Sequence, residues 1–467
     1  MTIDTTTLRD RAEAEGQAHL FQFWDGLDAG SRERLLVQVA DLDWGTIRHL
    51  KSLLDNASDA HAAPAFEPPE LFPLLPKGEF EERARQAILI GQERLSAGLV
   101  GYVLVAGGQG SRLGFDGPKG AFPVGPVTRI SLFAWHAARL KAAHARSGAP
   151  IRWYVMTSAT NDAATRQLFL ENGNFGLPAD AVTFFQQAML PALDLEGRII
   201  LAAPDQLFLA PNGHGGTLAA LRESGCLADA AERGIETLSY FQVDNPMARM
   251  ADPLFLGLHA AAGAEMSSKV VAKVDAGEKV GVLGRADGVL GCIEYSDLPE
   301  ALREARDDAG DLVFRAGNIA MHAIERDFVE RLTGDGPLQL PWHLARKSMD
   351  AVLPDGSRAK VDGVKFETFV FDALARTSAS ITLEVDRASE FSPVKNAEGP
   401  DSPATCKRDM TDMFRGWLAE HGQSAAPMDA GGDPNLEIDP TFAETAAEFA
   451  ARMPATPTPL GGGLLYR

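Results

Sequence analysis

Straight after a short apolar run the chain reads Val105-Ala-Gly-Gly-Gln-Gly-Ser-Arg-Leu-Gly-Phe-Asp-Gly-Pro-Lys119. Glycines at 107, 108, 110, 114 and 117 allow the backbone to approach a ligand closely and to take positive φ. Consecutive N–H groups exposed in such a loop form a nest for an anion. Arg112 and Lys119 supply the positive charge that phosphate groups need. A glycine turn that only packs tightly is the alternative, and it does not account for those two cations. The spacing also sets two familiar phosphate loops aside. Counted from Gly108, the last place of a G-x-G-x-x-G dinucleotide loop falls on Leu113, and no Gly-Lys-Ser/Thr follows. A nicotinamide-dependent oxidoreductase and a P-loop NTPase are therefore disfavoured.

A carboxylate joins the cations further along. Asp244 ends the apolar run Leu238-Ser-Tyr-Phe-Gln-Val243. In open α/β sheets ligands collect beyond the carboxyl ends of the strands. A carboxylate there can hold Mg2+ against phosphate oxygens, because that ion keeps its waters and needs one or two carboxylates. A turn cap is the alternative for Asp244. Asp252, before Pro253, is assigned to a structural turn.

The loop Gly-Gly-Gln-Gly-Ser-Arg-Leu-Gly, with Pro-Lys a few residues on, resembles the nucleotide loop of the UDP-sugar pyrophosphorylases, which include the eukaryotic-type UDP-N-acetylglucosamine and UDP-glucose enzymes. Ser111 stands where the family usually has Thr. Later segments extend the resemblance over roughly residues 80 to 410. Phe184-Phe-Gln-Gln-Ala-Met-Leu-Pro-Ala192 is similar to the segment that gives an amide to the uracil edge, which falls on Gln187. Ala210-Pro-Asn-Gly-His-Gly-Gly-Thr-Leu218 is similar to a second glycine segment facing the base, so Gly213 would lie against uracil with His214 beside it. His214 is not assigned as a general base. Val243-Asp-Asn-Pro and Ala251-Asp-Pro-Leu-Phe-Leu-Gly257 also follow the family pattern, with Mg2+ implied at Asp244. By the same resemblance Gly281, Glu294 and Asn318 would meet the sugar, and Lys395 in Glu390-Phe-Ser-Pro-Val-Lys-Asn would reach the phosphates. Lys365-Phe-Glu-Thr-Phe-Val-Phe-Asp372 is read as mainly structural.

The resemblance implies nucleotidyl transfer from UTP to a sugar 1-phosphate, with Gly107 and Gly108 at the nucleotide and Arg112, Lys119 and Lys395 neutralising charge. Two branch markers disagree about the sugar. Gly215-Gly216 and Ala316-Gly-Asn-Ile-Ala320 favour N-acetylglucosamine 1-phosphate, the first choice, and His214 favours glucose 1-phosphate. A sugar-nucleotide-binding protein without catalysis is the remaining alternative. It would not need Arg112, Lys119, Asp244 and Lys395 together.

The elements that must position these residues follow from hydrophobic periodicity. Residues 6 to about 54 read as helical and are expected to pack on the central sheet. A Pro-rich extended connection follows, then a helix from about Phe80. Tyr102–Ala106, Trp153–Met156, Leu238–Val243, Val270–Val274, Val280–Leu283 and Val289–Tyr295 read as strands, and Leu132–Lys141 as a helix. Strand, glycine loop, helix, strand opens an α/β fold. The expected fold is a central mixed, mostly parallel, Rossmann-like sheet of nucleotidyltransferase type. An N-terminal helical region (1–97), the nucleotidyltransferase domain (98–382) and a small C-terminal region (383–467) are the expected divisions. Ser424–Pro434 and Met453–Gly463 read as loops or a mobile tail.

Composition bounds the partners. The 467 residues carry a formal charge of −20, so no broad basic footprint for nucleic acid is expected. A small anion in one focused basic site fits better. Cys226, Cys292 and Cys406 give no disulfide framework and read as small buried hydrophobes. No signal peptide or membrane span is evident, so a cytoplasmic location is expected, with no membrane contact and no protein partner implied.

Overall fold

The computed structural model describes residues 4–55, 64–334, 338, 340–422, 436–460 and 463–467. Its contacts divide the chain into two units assembled from non-consecutive stretches. One comprises residues 1–63, 187–218 and 335–370; the other comprises 64–186, 219–334 and 371–467.

The larger unit is built on a mixed sheet of eleven strands among the described residues. Its main path runs Leu71–Phe72, Thr382–Val385, Met266–Ala272, Ala316–Glu325, Thr237–Gln242, Val100–Val105, Trp153–Thr157 and Val182–Gln186. The last four strands of that path are parallel to one another, and Ala316–Glu325 is antiparallel to both neighbours. Val100–Val105 and Trp153–Thr157 are apolar and almost wholly buried, as the uninterrupted apolar runs require. The run expected from Val270 begins earlier, at Met266, because Ser267, Ser268 and Lys269 are buried although polar.

Helices Glu79–Ser96 and Pro253–Ala261 pack together through two glycines. A Cβ on Gly91 would lie 1.9 Å from the Pro253 carbonyl oxygen, and one on Gly257 would lie 1.7 Å from that of Ala87. Only glycine permits this approach of backbones. Asp252 caps the second helix by accepting from Leu254 N, with Pro253 in the first turn, as the structural assignment requires.

The smaller unit joins Thr5–Ala14, Ala29–Ala40 and Trp44–Asp55 to a three-stranded antiparallel sheet. That sheet is a long hairpin, His343–Val352 with Arg358–Glu367, extended by Leu193–Asp194. Leu35, Val39, Ile47 and Leu50 from the helices share a core with Leu193, Leu201, Val364 and Phe366. This corrects the expectation that the N-terminal helices pack on the central sheet. Their apolar faces find partners between 143 and 331 residues away in sequence, a pairing that local periodicity does not carry.

The tail after residue 410 is also structured where it is described. Leu436–Ile438, Thr458–Leu460 and Gly463–Tyr466 form a three-stranded sheet, and Tyr466 packs edge-on against Phe449. The loop reading of Met453–Gly463 is corrected to that extent; Ser424–Pro434 lies outside the described residues. Glu437, fully buried, accepts from the Val127 and Thr128 amides at 2.7 and 2.9 Å and from the Thr128 hydroxyl at 2.7 Å. Burial pushes its pKa up, against the pull of these three donors. No helix among the described residues is long and apolar enough to cross a membrane.

Candidate active site

The strand Val100–Val105 delivers the glycine loop at its carboxyl end. The loop is pinned from the side by a Ser158-x-x-Asn161 turn. Asn161 Nδ2 donates to the carbonyls of Ala106 and Gly108 at 2.9 and 3.1 Å, and Ser158 Oγ donates to that of Gly107 at 2.8 Å. Lys119 N closes the loop onto Gly108 O at 3.0 Å. These bonds use the carbonyls of Gly107 and Gly108 and leave donors free. The amides of Gly108, Ser111 and Arg112 find no acceptor among the described residues. The Arg112 guanidinium is exposed and forms no ion pair among them. A Cβ on Gly108 would meet nothing within 4 Å. The loop therefore presents unused N–H groups, an unpaired cation and open space, which is the donor set of an anion site. In sequence, Asn161 and Ser158 show no more than a short polar turn after the apolar strand Trp153–Thr157, too weak a signal to mark them.

Lys119 points at the next strand end. Its Nζ lies 2.9 Å from Asp244 Oδ2, with both side chains largely buried. Asp244 Oδ1 carries no hydrogen bond among the described residues. The segment Glu390–Lys395 is stitched to the same strand end. Val394 N donates to Asp244 O at 2.8 Å, Asn245 Nδ2 to Glu390 O at 2.7 Å, and Ser392 N to Asn245 Oδ1 at 3.2 Å. Lys119, Asp244 and the Lys395 segment are thus brought together although they span 276 positions from 119 to 395. The Lys395 side chain remains partly exposed. Its ammonium lies 3.4 Å from Asp401 and over the Phe391 ring.

Gly281, Glu294 and Asn318 also converge. Hairpin Val282–Ala286 and Val289–Ile293 docks on Ala316–Glu325 through the pair Val282↔Gly317, and Asn318 N donates to Gly281 O at 2.9 Å. A Cβ on Gly281 would stand 2.7 Å from Cys292 Sγ and 3.6 Å from Glu294 Oε1. Asn318 lies at a register shift between Ala316–Glu325 and Met266–Ala272, where its Oδ1 caps Ala320 N and Ala320 takes positive φ. Such irregularities re-aim side chains beside functional sites. Asn318 Nδ2 reaches Cys292 Sγ at 3.7 Å. Cys226 and Cys406 are buried, whereas Cys292 is only partly so. Burial, with Glu294 beside it, pushes the Cys292 thiol pKa up, so it sits in this cluster as a protonated thiol.

The smaller unit carries the other three expected residues. Gln187 follows the strand Val182–Gln186; it is 8% exposed and its side chain makes no hydrogen bond among the described residues. A buried amide without protein partners is suited to pairing with a ligand. Gly213 has φ +81°, and a Cβ on it would lie 2.4 Å from Thr368 O. His214 stacks on Phe369 with ring centroids 5.2 Å apart, and its Nδ1 accepts from Val370 N at 3.2 Å. Burial, with nearby His343, pushes its pKa down to about 4. Its ring is accordingly neutral and structurally engaged at pH 7. Lys365–Asp372, read as mainly structural, also supplies Thr368 and Phe369 as the wall behind Gly213 and His214.

A glycine loop with open amides at the carboxyl end of a Rossmann-like sheet, beside a strand-end carboxylate, fits the architecture of a nucleotidyltransferase. The comparisons with known proteins narrow the class. Residues 90–460 match the family described as UTP–glucose-1-phosphate uridylyltransferase. The "UDP-N-acetylhexosamine pyrophosphorylase-like protein 1" of Xenopus tropicalis is 35% identical over 439 residues, covering 89% of this chain and 84% of that protein. The UDP-N-acetylglucosamine pyrophosphorylase of Saccharomyces cerevisiae is 33% identical over 430 residues, covering 87% and 90%. Among solved structures, the uridine diphosphate N-acetylglucosamine pyrophosphorylase of Trypanosoma brucei, in complex with inhibitor, superposes with a TM-score of 0.82 at 27% identity, covering 100% of this chain and 98% of that one. The chain belongs to the UDP-sugar pyrophosphorylase family, whose members are uridylyltransferases.

Proposed function

We propose that this protein transfers the uridylyl group of UTP to N-acetylglucosamine 1-phosphate and releases pyrophosphate. The observation that carries the chemistry is the meeting of the open phosphate loop, the Lys119–Asp244 pair and the Glu390–Lys395 segment at one end of the sheet. The choice of sugar is supported by relatives at 33–35% identity that are named for acetylated amino sugars. Leishmania major structures named for UDP-glucose share 16–18% identity and speak only to the fold. His214 is the one residue that favours glucose 1-phosphate, and its ring is engaged with Val370 and Phe369 within the protein.

In this reading a phosphate oxygen of the sugar 1-phosphate attacks the α-phosphorus of UTP. A new P–O bond forms, the bond to the β-phosphate oxygen breaks, and pyrophosphate carries off the electron pair. The nucleophile is already an anion at pH 7, so no general base is needed. Catalysis is positioning and charge neutralisation. Arg112 and the free amides of the loop hold the triphosphate. Lys119 is kept at the strand end by Asp244, ready to meet phosphate oxygens. Lys395 neutralises the sugar phosphate and the α-phosphoryl group. Gln187 pairs with uracil, with Gly213 and His214 at the base, and Gly281, Glu294 and Asn318 bind the sugar.

A single strand-end carboxylate with one unbonded oxygen fits Mg2+, whose other ligands would be substrate phosphates and water. Among the described residues no group of three or more His, Cys, Asp or Glu side chains adds to it. Bound at Asp244, the ion would draw negative charge off the phosphate oxygens.

The test is product formation followed by phosphorus NMR, with wild type and Lys395→Ala side by side. The wild type yields a UDP-sugar and pyrophosphate in equal amounts. Lys395→Ala should lower kcat by about 100-fold or more, in the range seen when one charge-stabilising donor is removed. Near-normal turnover in that variant would remove Lys395 from the mechanism.

A further inference from the structure

Lys269 lies in the strand Met266–Ala272 and is fully buried. Its ammonium is 2.6 Å from Glu390 Oε2 and 2.7 Å from Asp252 Oδ2. Arg249 stands 3.7 Å from Glu390 Oε1. Lys269 and the two carboxylates are thus buried together, with the partly exposed Arg249 at their edge. Burial alone would raise the pKa of Asp252, but Lys269 and Arg249 outweigh it and hold that carboxyl at about 2. Burying such ions costs several kcal/mol each, and apolar side chains of equal volume often serve stability as well. Stability is therefore a weak reason for this cluster. A better one is where it places Glu390.

Glu390 opens the segment that ends at Lys395. Its carbonyl accepts from Asn245 Nδ2, and four residues on Val394 N donates to Asp244 O. Among the described residues the Lys395 ammonium touches only Asp401 and the face of Phe391. Its position is set by the backbone it grows from, and that backbone is moored at one end by the Glu390 carboxylate.

We infer that the Lys269–Glu390 ion pair is a positioning device for uridylyl transfer. It fixes Glu390–Lys395 against Asp244–Asn245 and so sets how Lys395 and Asp244 face the reacting phosphates. The inference rests on the phosphate role proposed for Lys395. Lys269 and Glu390 are both buried, so in this role they act through the segment and not on the substrate. Asp252 provides an internal control: it binds the same ammonium but caps the helix Pro253–Ala261 and moors nothing in the 390–395 segment.

The experiment compares Glu390→Gln, Asp252→Asn and Lys395→Ala in the full chain by steady-state kinetics and thermal melting. Both amide variants unbalance the buried cluster and should lower the melting temperature. Glu390→Gln alone should also lower kcat, by about tenfold or more, with KM for UTP within about threefold, because orientation is lost and ground-state binding is not. Should Glu390→Gln fail to fold, Glu390→Asp keeps the charge and shortens the mooring by one methylene; the same fall in kcat is expected. Equal loss of kcat in Asp252→Asn and the Glu390 variant, or loss in neither, overturns the inference. If Lys395→Ala is slow while the Glu390 variant turns over normally, the positioning claim alone falls. If Lys395→Ala turns over normally, the phosphate role beneath the claim is wrong and the claim falls with it.

Discussion

Two glycine-rich segments serve this protein, and they are glycine-rich for opposite reasons. In the second, Gly213–Gly216, the chain itself occupies the space a side chain would take. A Cβ on Gly215 would lie 2.7 Å from Phe369 N, and one on Gly216 would lie 2.1 Å from Asn212 Oδ1. In the first, Gly110 and Gly120 are crowded in the same way, by Phe115 and Phe133. Gly108 is not crowded. Its missing side chain leaves an opening beside amides with no acceptor among the described residues, and no neighbour within 4 Å requires it. A glycine with room around it points to a ligand; a glycine pressed against its own chain points to folding.

Substitutions can break that contrast. The largest effect is expected at Gly213, where both φ +81° and the 2.4 Å approach to Thr368 O oppose a side chain. Gly213→Ala should destabilise the protein by about 2–4 kcal/mol in denaturant unfolding, as overpacking and backbone strain combine. Gly108→Ala should change stability by less than about 1 kcal/mol while raising KM for UTP roughly tenfold, because the methyl enters the ligand's space. If Gly108→Ala instead unfolds the protein and leaves KM alone, the two segments do not differ as described.

A smaller effect separates them by pH. Folding lowers the pKa of His214 from 6.5 to about 4, chiefly by burial. Between these values the unfolded chain binds a proton that the folded chain does not. The stability it contributes is full above pH 6.5 and is lost as pH falls towards 4. At pH 5.5 the loss is about 1–2 kcal/mol. His214→Gln should flatten that acid slope in unfolding titrations. An unchanged slope would mean that the ring titrates freely and that the second segment is less tightly built than its contacts indicate.

The glycine loop after Val100–Val105 was legible in the sequence because everything that shapes it is local: an apolar strand, glycines, then two cations. Asp244 was legible as the end of a buried run. The convergence of Gly281, Glu294 and Asn318 was available only through family resemblance, since it depends on a hairpin docking at Val282↔Gly317. The thiol of Cys292 inside that cluster carried no signal of its own. The shared core of the N-terminal helices with Val364 and Phe366 was hidden for the same reason, because amphipathic faces show that they are buried but not against what. In the tail, Pro and Gly masked the short strand Gly463–Tyr466, which pairs with Thr458–Leu460 and Leu436–Ile438 and packs Tyr466 against Phe442 and Phe449. The buried Lys269 reads in sequence as one more charged residue in a strand.

The most direct test of the central claim is pyrophosphate release from UTP and Mg2+ with N-acetylglucosamine 1-phosphate and with glucose 1-phosphate, each measured as kcat/KM on the same preparation. Rapid release is expected with UTP and a sugar 1-phosphate together, none with UTP alone, and a clear preference for the acetylated amino sugar. A preference for glucose 1-phosphate would contradict the assignment of the sugar, and no release with either sugar would contradict catalysis itself.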